Sequence, residues 1–91
     1  ALTDLDARLA GWVADHRETL MVNDVHADER WSDAAPAETR ALLAAPLLQN
    51  DDLLGLMILY SREQAAFEPA HQKLVAAAAA QVASAVNNAQ L

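Results

Sequence analysis

The sequence predicts an α+β domain, with an antiparallel sheet of about three strands packed between an N-terminal helix and a long C-terminal helix. Three observations carry that expectation. Leu5, Leu9, Trp12 and Val13 recur at helical spacing, the block from Ala41 to Ser61 holds two apolar stretches joined by the polar turn Asn50-Asp51-Asp52, and an alanine-rich amphipathic stretch begins at Pro69. With 91 residues the core is thin, since a chain of this size buries only about 60–65% of the surface its unfolded form exposes.

The first helix is expected from Asp4 to His16, capped by Thr3 or Asp6, with His16 and Arg17 placed at the negative end of its dipole. Gly11 inside it costs about 1 kcal/mol relative to Ala, so it is expected to admit another backbone at close range. Thr19 to Asn23 is a short β-prone run. Residues 24–40 are polar around a single Trp and predict a loop with one or two helical turns, one of them starting at Pro36. Loops this long inside small domains are usually functional or mobile.

Along Ala41–Gln49, Leu42, Ala44, Pro46 and Leu48 alternate with Ala41, Leu43, Ala45 and Leu47. Pro46 has no N–H to give, so this strand is expected at an edge or to carry a bulge. Leu53 to Tyr60 is apolar at nearly every position, the pattern of a central strand covered on both faces. Gly55 marks a bulge or a place where something packs on bare backbone. The closing helix starts with Glu68 as cap and Pro69 in the first turn. Leu74, Val75, Ala78, Val82, Ala85, Val86 and Ala89 then form one stripe expected to cover the sheet. From Pro69 to Leu91 such a helix spans about 35 Å, so its last turns are expected to project beyond the strands.

The net charge of −7, with only six Lys and Arg residues, argues against nucleic acid and against an anionic membrane surface as partners. The absence of cysteine excludes disulfides, thiolate metal sites, a cysteine nucleophile and a thioether-linked chromophore within these residues. Without an apolar run of membrane-spanning length or a leader-like start, a cytoplasmic location is expected. No Ser-His-acid arrangement or phosphate-cradling loop can be assembled, since the only glycines are Gly11 and Gly55, and no catalytic residue is assigned. His26 lies near Asp24, Asp28 and Glu29, a donor set that suits a divalent metal. Adjacency on a loop does not build a coordination shell, so a solvated surface is preferred, no metal site is assigned, and a haem-ligand role for His26 ranks lower still. His16 and His71 are explained as helix-end and exposed-face residues.

The order LAGWVADHRETLMVNDV at Leu9–Val25, an acidic loop ending in a tryptophan at Asp28–Trp31, TRALLAAPLL at Thr39–Leu48, LLGLMILYS at Leu53–Ser61 and QVASAVNNAQL at Gln81–Leu91 resembles the C-terminal two-thirds of a GAF domain. The likeness covers about Leu5 to Leu91, and its specificity lies in order and spacing. Arg8 departs from it, standing where many members carry glycine. The resemblance implies a truncated, profilin-like sheet, because the first helix and first two strands of such a domain have no counterpart in residues 1–91. Those residues then form a single partial domain, with 81–91 the end of a signalling or linker helix. It also implies that Leu53–Ser61 is left as an open edge, which proteins normally cover. A homodimer through the 53–61 edge or through the C-terminal helix is therefore expected, and Ala78, Val82, Ala85 and Ala89 are small enough for close helix pairing, though Asn87 and Asn88 weaken a coiled coil.

By the same resemblance the chain is expected to be a non-catalytic sensory or regulatory module of a bacterial signal transduction protein, binding a small molecule between the sheet and the 23–40 loop. The implied site residues are Asn23 and Asp24 as hydrogen-bonding groups, Trp31 as an apolar lid, Arg40 as an anion partner and Tyr60 at the end of the strand. The simpler reading is that Trp31 and Tyr60 complete the core and Arg40 is solvated. No cofactor is named. Phe67 is followed by Glu68, Pro69, Ala70, His71 and Gln72, so the family's cyclic-nucleotide signature, with Asp-Glu after the Phe, is absent. The bilin-linked and methionine sulfoxide reductase activities of the family both rest on cysteine. A structural homodimerisation module without ligand is the alternative.

Overall fold

The computed structural model describes residues 3–89, in the order α1 (Asp4–His16), β1 (Leu20–Val22), β2 (Ala41–Gln49), β3 (Asp52–Ser61) and α2 (Pro69–Ala89). Residues 90 and 91 of the anticipated closing helix lie outside the described residues. The strands form one antiparallel sheet in the order β1-β2-β3, so the α+β class predicted from the sequence holds. Thr3 and Asp6 both serve the start of α1: the Thr3 Oγ1 accepts from the Asp6 N–H and the Asp6 carboxylate accepts from the Thr3 N–H, each at 3.1 Å. This reciprocal box satisfies two donors that a helix start otherwise leaves open. Arg17 ends the helix in the left-handed conformation (φ 55°), and its guanidinium donates to the Asp51 carbonyl in the hairpin turn.

α1 buries Leu5, Leu9 and Val13 against one face of the sheet, where they meet Leu20, Val22, Leu42, Ala44, Val25 and Trp31. α2 lies on the other face, mainly over β2. Residues Ala41 to Ala45 therefore have no solvent exposure on either side. This reverses what the apolar pattern alone predicts and agrees with the open edge that the family resemblance implies: β2 is central, and β3, the more continuously apolar of the two, is an edge strand among the described residues, with Leu53 to Ile58 half-buried and Leu59 and Tyr60 exposed. Pro46 does not force β2 outward because pairing with β1 stops at Leu20↔Ala44, and the ladder to β3 shifts register between Leu47 and Leu48. Gly55 pairs with Leu47 at that irregularity, and the Leu47 Cδ1 lies 3.4 Å from where a Gly55 Cβ would stand. Asn50 takes the left-handed conformation in the turn (φ 57°), which Asn tolerates better than most residues.

The stripe on α2 divides in two. Ala79 and Ala83 are buried and Val75 and Val86 half-buried against the sheet, whereas Leu74, Ala78, Val82, Ala85 and Ala89 face outward. With so many alanines, a continuous apolar band on a helix is wider than the face the sheet can cover. Val86 and Asn87 remain half-buried, so contact persists nearly to the end of the helix instead of stopping several turns earlier. At its start, the Glu68 carbonyl accepts from the His71 and Gln72 N–H groups while the His71 Nδ1 accepts from the Glu68 N–H. The Gln72 side-chain amide reaches the Thr19 carbonyl at 2.9 Å and ties α2 to the entry of β1.

Gly11 does not admit a neighbouring backbone: nothing lies within 4 Å of where its Cβ would stand, and its φ is not in the left-handed region. Gly11→Ala is therefore expected to stabilise the fold by about 0.5–1 kcal/mol. Urea unfolding followed by circular dichroism measures this as a raised midpoint with an unchanged slope.

Candidate functional site

The end of β1 and the loop after it enclose an open cleft of about 530 Å³, lined by Met21, Val22, Asn23, Asp24, Ala27, Asp28, Glu29 and Arg30. The loop holds this shape through its own turns. The Asp24 carboxylate accepts from the His26 N–H at 3.1 Å, and the Asp28 carboxylate accepts from the Arg30 N–H and pairs with its guanidinium at 2.8 Å. That ion pair holds the Asp28 carboxyl below the usual carboxylate range. Asp24 and Glu29 leave the cleft acidic. The loop closes onto the sheet where the Val25 N–H donates to the Arg40 carbonyl and the Arg40 N–H donates to the Ser61 carbonyl, both at 2.8 Å.

The proposed site residues are not all brought together. Asn23 and Asp24 line the cleft, whereas Trp31, Arg40 and Tyr60 do not. Trp31 is 2% exposed and forms part of the α1-side core beneath the loop, so it is no lid; its indole N–H is buried without a partner, as is the Nε2 of His26. Arg40 is exposed, contributes its backbone to the loop closure, and makes no ion pair among the described residues. Tyr60, 44% exposed, reaches across the sheet edge and donates its hydroxyl to the Asp6 carboxylate on α1. That contact is the main cause of the lowered Asp6 pKa, while burial first and the same hydrogen bond second push the Tyr60 phenol up. Asp24, Asp28 and Glu29, grouped in the sequence with His26 as a possible donor set, line the cleft without it, and Arg30 joins them although its sequence signal, Asp-x-Arg within a polar loop, matches any solvated turn.

The Asn23 carbonyl accepts from the Ala65 N–H at 2.8 Å. Ala65 sits in the left-handed conformation (φ 56°), which costs a residue with a Cβ about 1–2 kcal/mol. Next to it, Ala66 helps to line a second hollow, an apolar groove of about 270 Å³ between β3 and α2, walled by Leu43, Leu59, Phe67, His71, Leu74 and Val75. No local pattern marks this groove in the sequence, since its walls come from four separate segments.

A three-stranded antiparallel sheet with a helix on each face and a cleft beside a long connecting loop defines a small α+β domain. The family model for the GAF domain matches residues 2–86, and the chain belongs to that family. GAF domains are a regulatory and sensory fold of signalling proteins. Among solved structures, the chain is similar to a type II free methionine-R-sulfoxide reductase from Thermoplasma acidophilum, with 18% identity over 97% of this chain and 65% of that one and a TM-score of 0.78. It is also similar to the GAF domain of a phosphoenolpyruvate-protein phosphotransferase from Coxiella burnetii (17% identity, 88% and 49% covered, TM-score 0.76). A third is the free methionine-R-sulfoxide reductase from Neisseria meningitidis in complex with its substrate (20% identity, 76% and 41% covered, TM-score 0.67). At these identities the likeness establishes the fold. The chain spans less than two-thirds of the length of each of these structures. No curated protein matches it. The expectation that the chain is not an enzyme is corrected by these structures, because two of them are reductases built on the same scaffold.

Tyr60→Phe is expected to cost about 0.5–1.5 kcal/mol at neutral pH, the net value of an ordinary hydrogen bond. The Asp6 pKa is lowered on folding, so its share of stability is present above the unfolded carboxylate range and is lost as pH falls through the folded value. The gap between wild type and variant should therefore narrow on acidification. Unfolding midpoints across the acid range measure it.

Proposed function

We propose that the chain is a cytoplasmic sensory or regulatory module of a signal transduction protein, taking a small molecule in the cleft beside β1 and acting as a homodimer. Residues 1–91 form a single unit in this reading, and 81–91 belong to the helix that leads toward an effector. The cleft carries the proposal: its volume of about 530 Å³ falls within the range of about 300–1,000 Å³ typical of small-molecule sites. Asn23 and Asp24 supply polar groups at its mouth. Asp24, Asp28 and Glu29 face a single cation, Arg30, which Asp28 already neutralises, so the cleft favours a polar molecule rich in donors over an anion. Trp31 holds the loop from below, and Arg40 and Tyr60 anchor its surroundings; none of the three needs to touch the ligand.

The second reading, a homodimerisation module without ligand, is favoured by a separate observation. Leu59, Tyr60, Leu74 and Val82 are exposed at 41, 44, 67 and 37%, all on β3 or α2. These are the two elements through which a second copy is expected to dock.

A melting screen against a panel of polar metabolites separates the readings. A ligand at a hundred times its Kd adds about 2.7 kcal/mol to the folded state. Asn23→Ala with Asp24→Ala is expected to abolish the shift; a shift that survives both places the site elsewhere. Melting that depends on protein concentration, with no response to the panel, favours the module without ligand.

A further inference from the structure

We infer, on the cleft reading above, that Arg8 on α1 is a positioning residue for the cleft: its ion pair with Asp33 latches residues 26–39 onto α1, and release of that latch lets the wall formed by Asp28, Glu29 and Arg30 part from the sheet.

The loop is joined to the rest of the chain at few points. Its neck is closed by the Val25 N–H on the Arg40 carbonyl. Inside the neck the loop bonds to itself, the Trp31 and Ser32 N–H groups donating to the Asp28 carbonyl and those of Ala34 and Ala35 to the Trp31 carbonyl, at 2.9–3.0 Å. Among the described residues, Arg8 is the one residue from outside 24–40 that hydrogen-bonds residues 26–39. Its guanidinium donates to both oxygens of the Asp33 carboxylate, at 2.6 and 2.9 Å, and one nitrogen also reaches the Arg30 carbonyl at 3.4 Å. A forked pair of this kind fixes orientation as well as distance.

Burial of the loop has opposing parts. Trp31 packs into the α1-side core with Ala34 and Ala35 beside it, and removing an indole from water favours closure. Against this, the Trp31 indole N–H and the His26 Nε2 are buried without partners, so both have given up hydrogen bonds to water that nothing returns. The Arg30 guanidinium lies over the Trp31 ring, 5.2 Å from its centroid, while it pairs with Asp28. The cleft wall and the buried indole therefore move together. With these contributions set against one another, the clamp from α1 decides the balance. The Arg8 and Asp33 side chains are 45 and 66% exposed, and a pair so open to water is weak by itself and screened by salt. That strength suits a latch, which must bias closure and still release.

Amide hydrogen exchange followed by NMR tests the latch without any ligand, so a failed metabolite screen leaves it standing and a failed latch leaves the cleft reading standing. The short turns at Trp31, Ser32, Ala34 and Ala35 do not persist once the loop undocks, so protection of those amides reads its opening. In the wild type it is expected to fall well below that of the β2 amides of Leu42 to Ala44, which wait for global unfolding. Arg8→Ala and Asp33→Asn are each expected to lower the loop protection further by about two- to fivefold, the factor that an exposed ion pair of ordinary strength gives. Arg8→Glu combined with Asp33→Arg, which remakes the pair with its charges exchanged, is expected to return protection toward the wild-type value. Loop protection equal to that of β2 would show that the loop does not open by itself and would overturn the inference. So would loop protection that both single variants leave unchanged, or a loss that the exchanged pair fails to restore.

Discussion

Burial of β2 on both faces is the constraint around which the other elements are arranged. Ala41 to Ala45 have no exposure to solvent, which requires a layer on each side of a single strand. Leu42 and Ala44 turn toward α1, while Leu43 and its same-face neighbours turn toward α2. Each leucine removed from water contributes about 1.5–3 kcal/mol, and each alanine between them lets the covering element approach. That alternation compensates for a composition with only four aromatic residues. It also explains the position of the loop, whose last residue, Arg40, runs directly into the buried strand and fixes Val25 through its carbonyl.

The same constraint organises the candidate site. Because β1 pairs only through Leu20, Met21 and Val22, the chain is released from the sheet at Asn23 and turns under its own side-chain hydrogen bonds. Trp31 is drawn inward to complete the α1-side core, pulling the loop down and leaving the carboxylates of Asp24, Asp28 and Glu29 around the cleft. The polarity of the cleft is thus a consequence of how the apolar residues of the loop are used. Tyr60 provides the corresponding tie at the opposite edge of the sheet, on the same face, from β3 to Asp6 on α1.

Element boundaries were legible in the sequence because their signals are local: Thr3 with Asp6, Asn50 in the turn, Pro69 in a first turn. Strand order was less so. A continuous apolar run reports that a strand prefers cover, and β3 shows that preference while standing half-exposed at an edge. Pro46 suggested an edge or a bulge for β2: the ladder to β3 is irregular just after it, and its missing N–H is harmless where β1 has already ended. On α2, alanine blurred the stripe, since it is apolar enough to count toward a buried face and small enough to remain outside. At the site, Asn23 and Asp24 were named through the family resemblance and lie in the cleft lining, whereas Trp31, expected as a lid, is in the core because burial of a loop aromatic depends on partners from α1 that sequence spacing does not reveal.

The cleft and the groove are closer in the chain of contacts than in sequence. Asn23 lines the cleft and holds the Ala65 N–H, and the next residue, Ala66, lines the groove. Ala65 adopts a left-handed conformation that few residues with a Cβ adopt without support. The hydrogen bond to Asn23 supplies part of that support. Cleft and groove thus meet at one backbone point held by a single hydrogen bond, and glycine, which adopts a positive φ without steric cost, would relieve the strain at position 65 while leaving that bond in place.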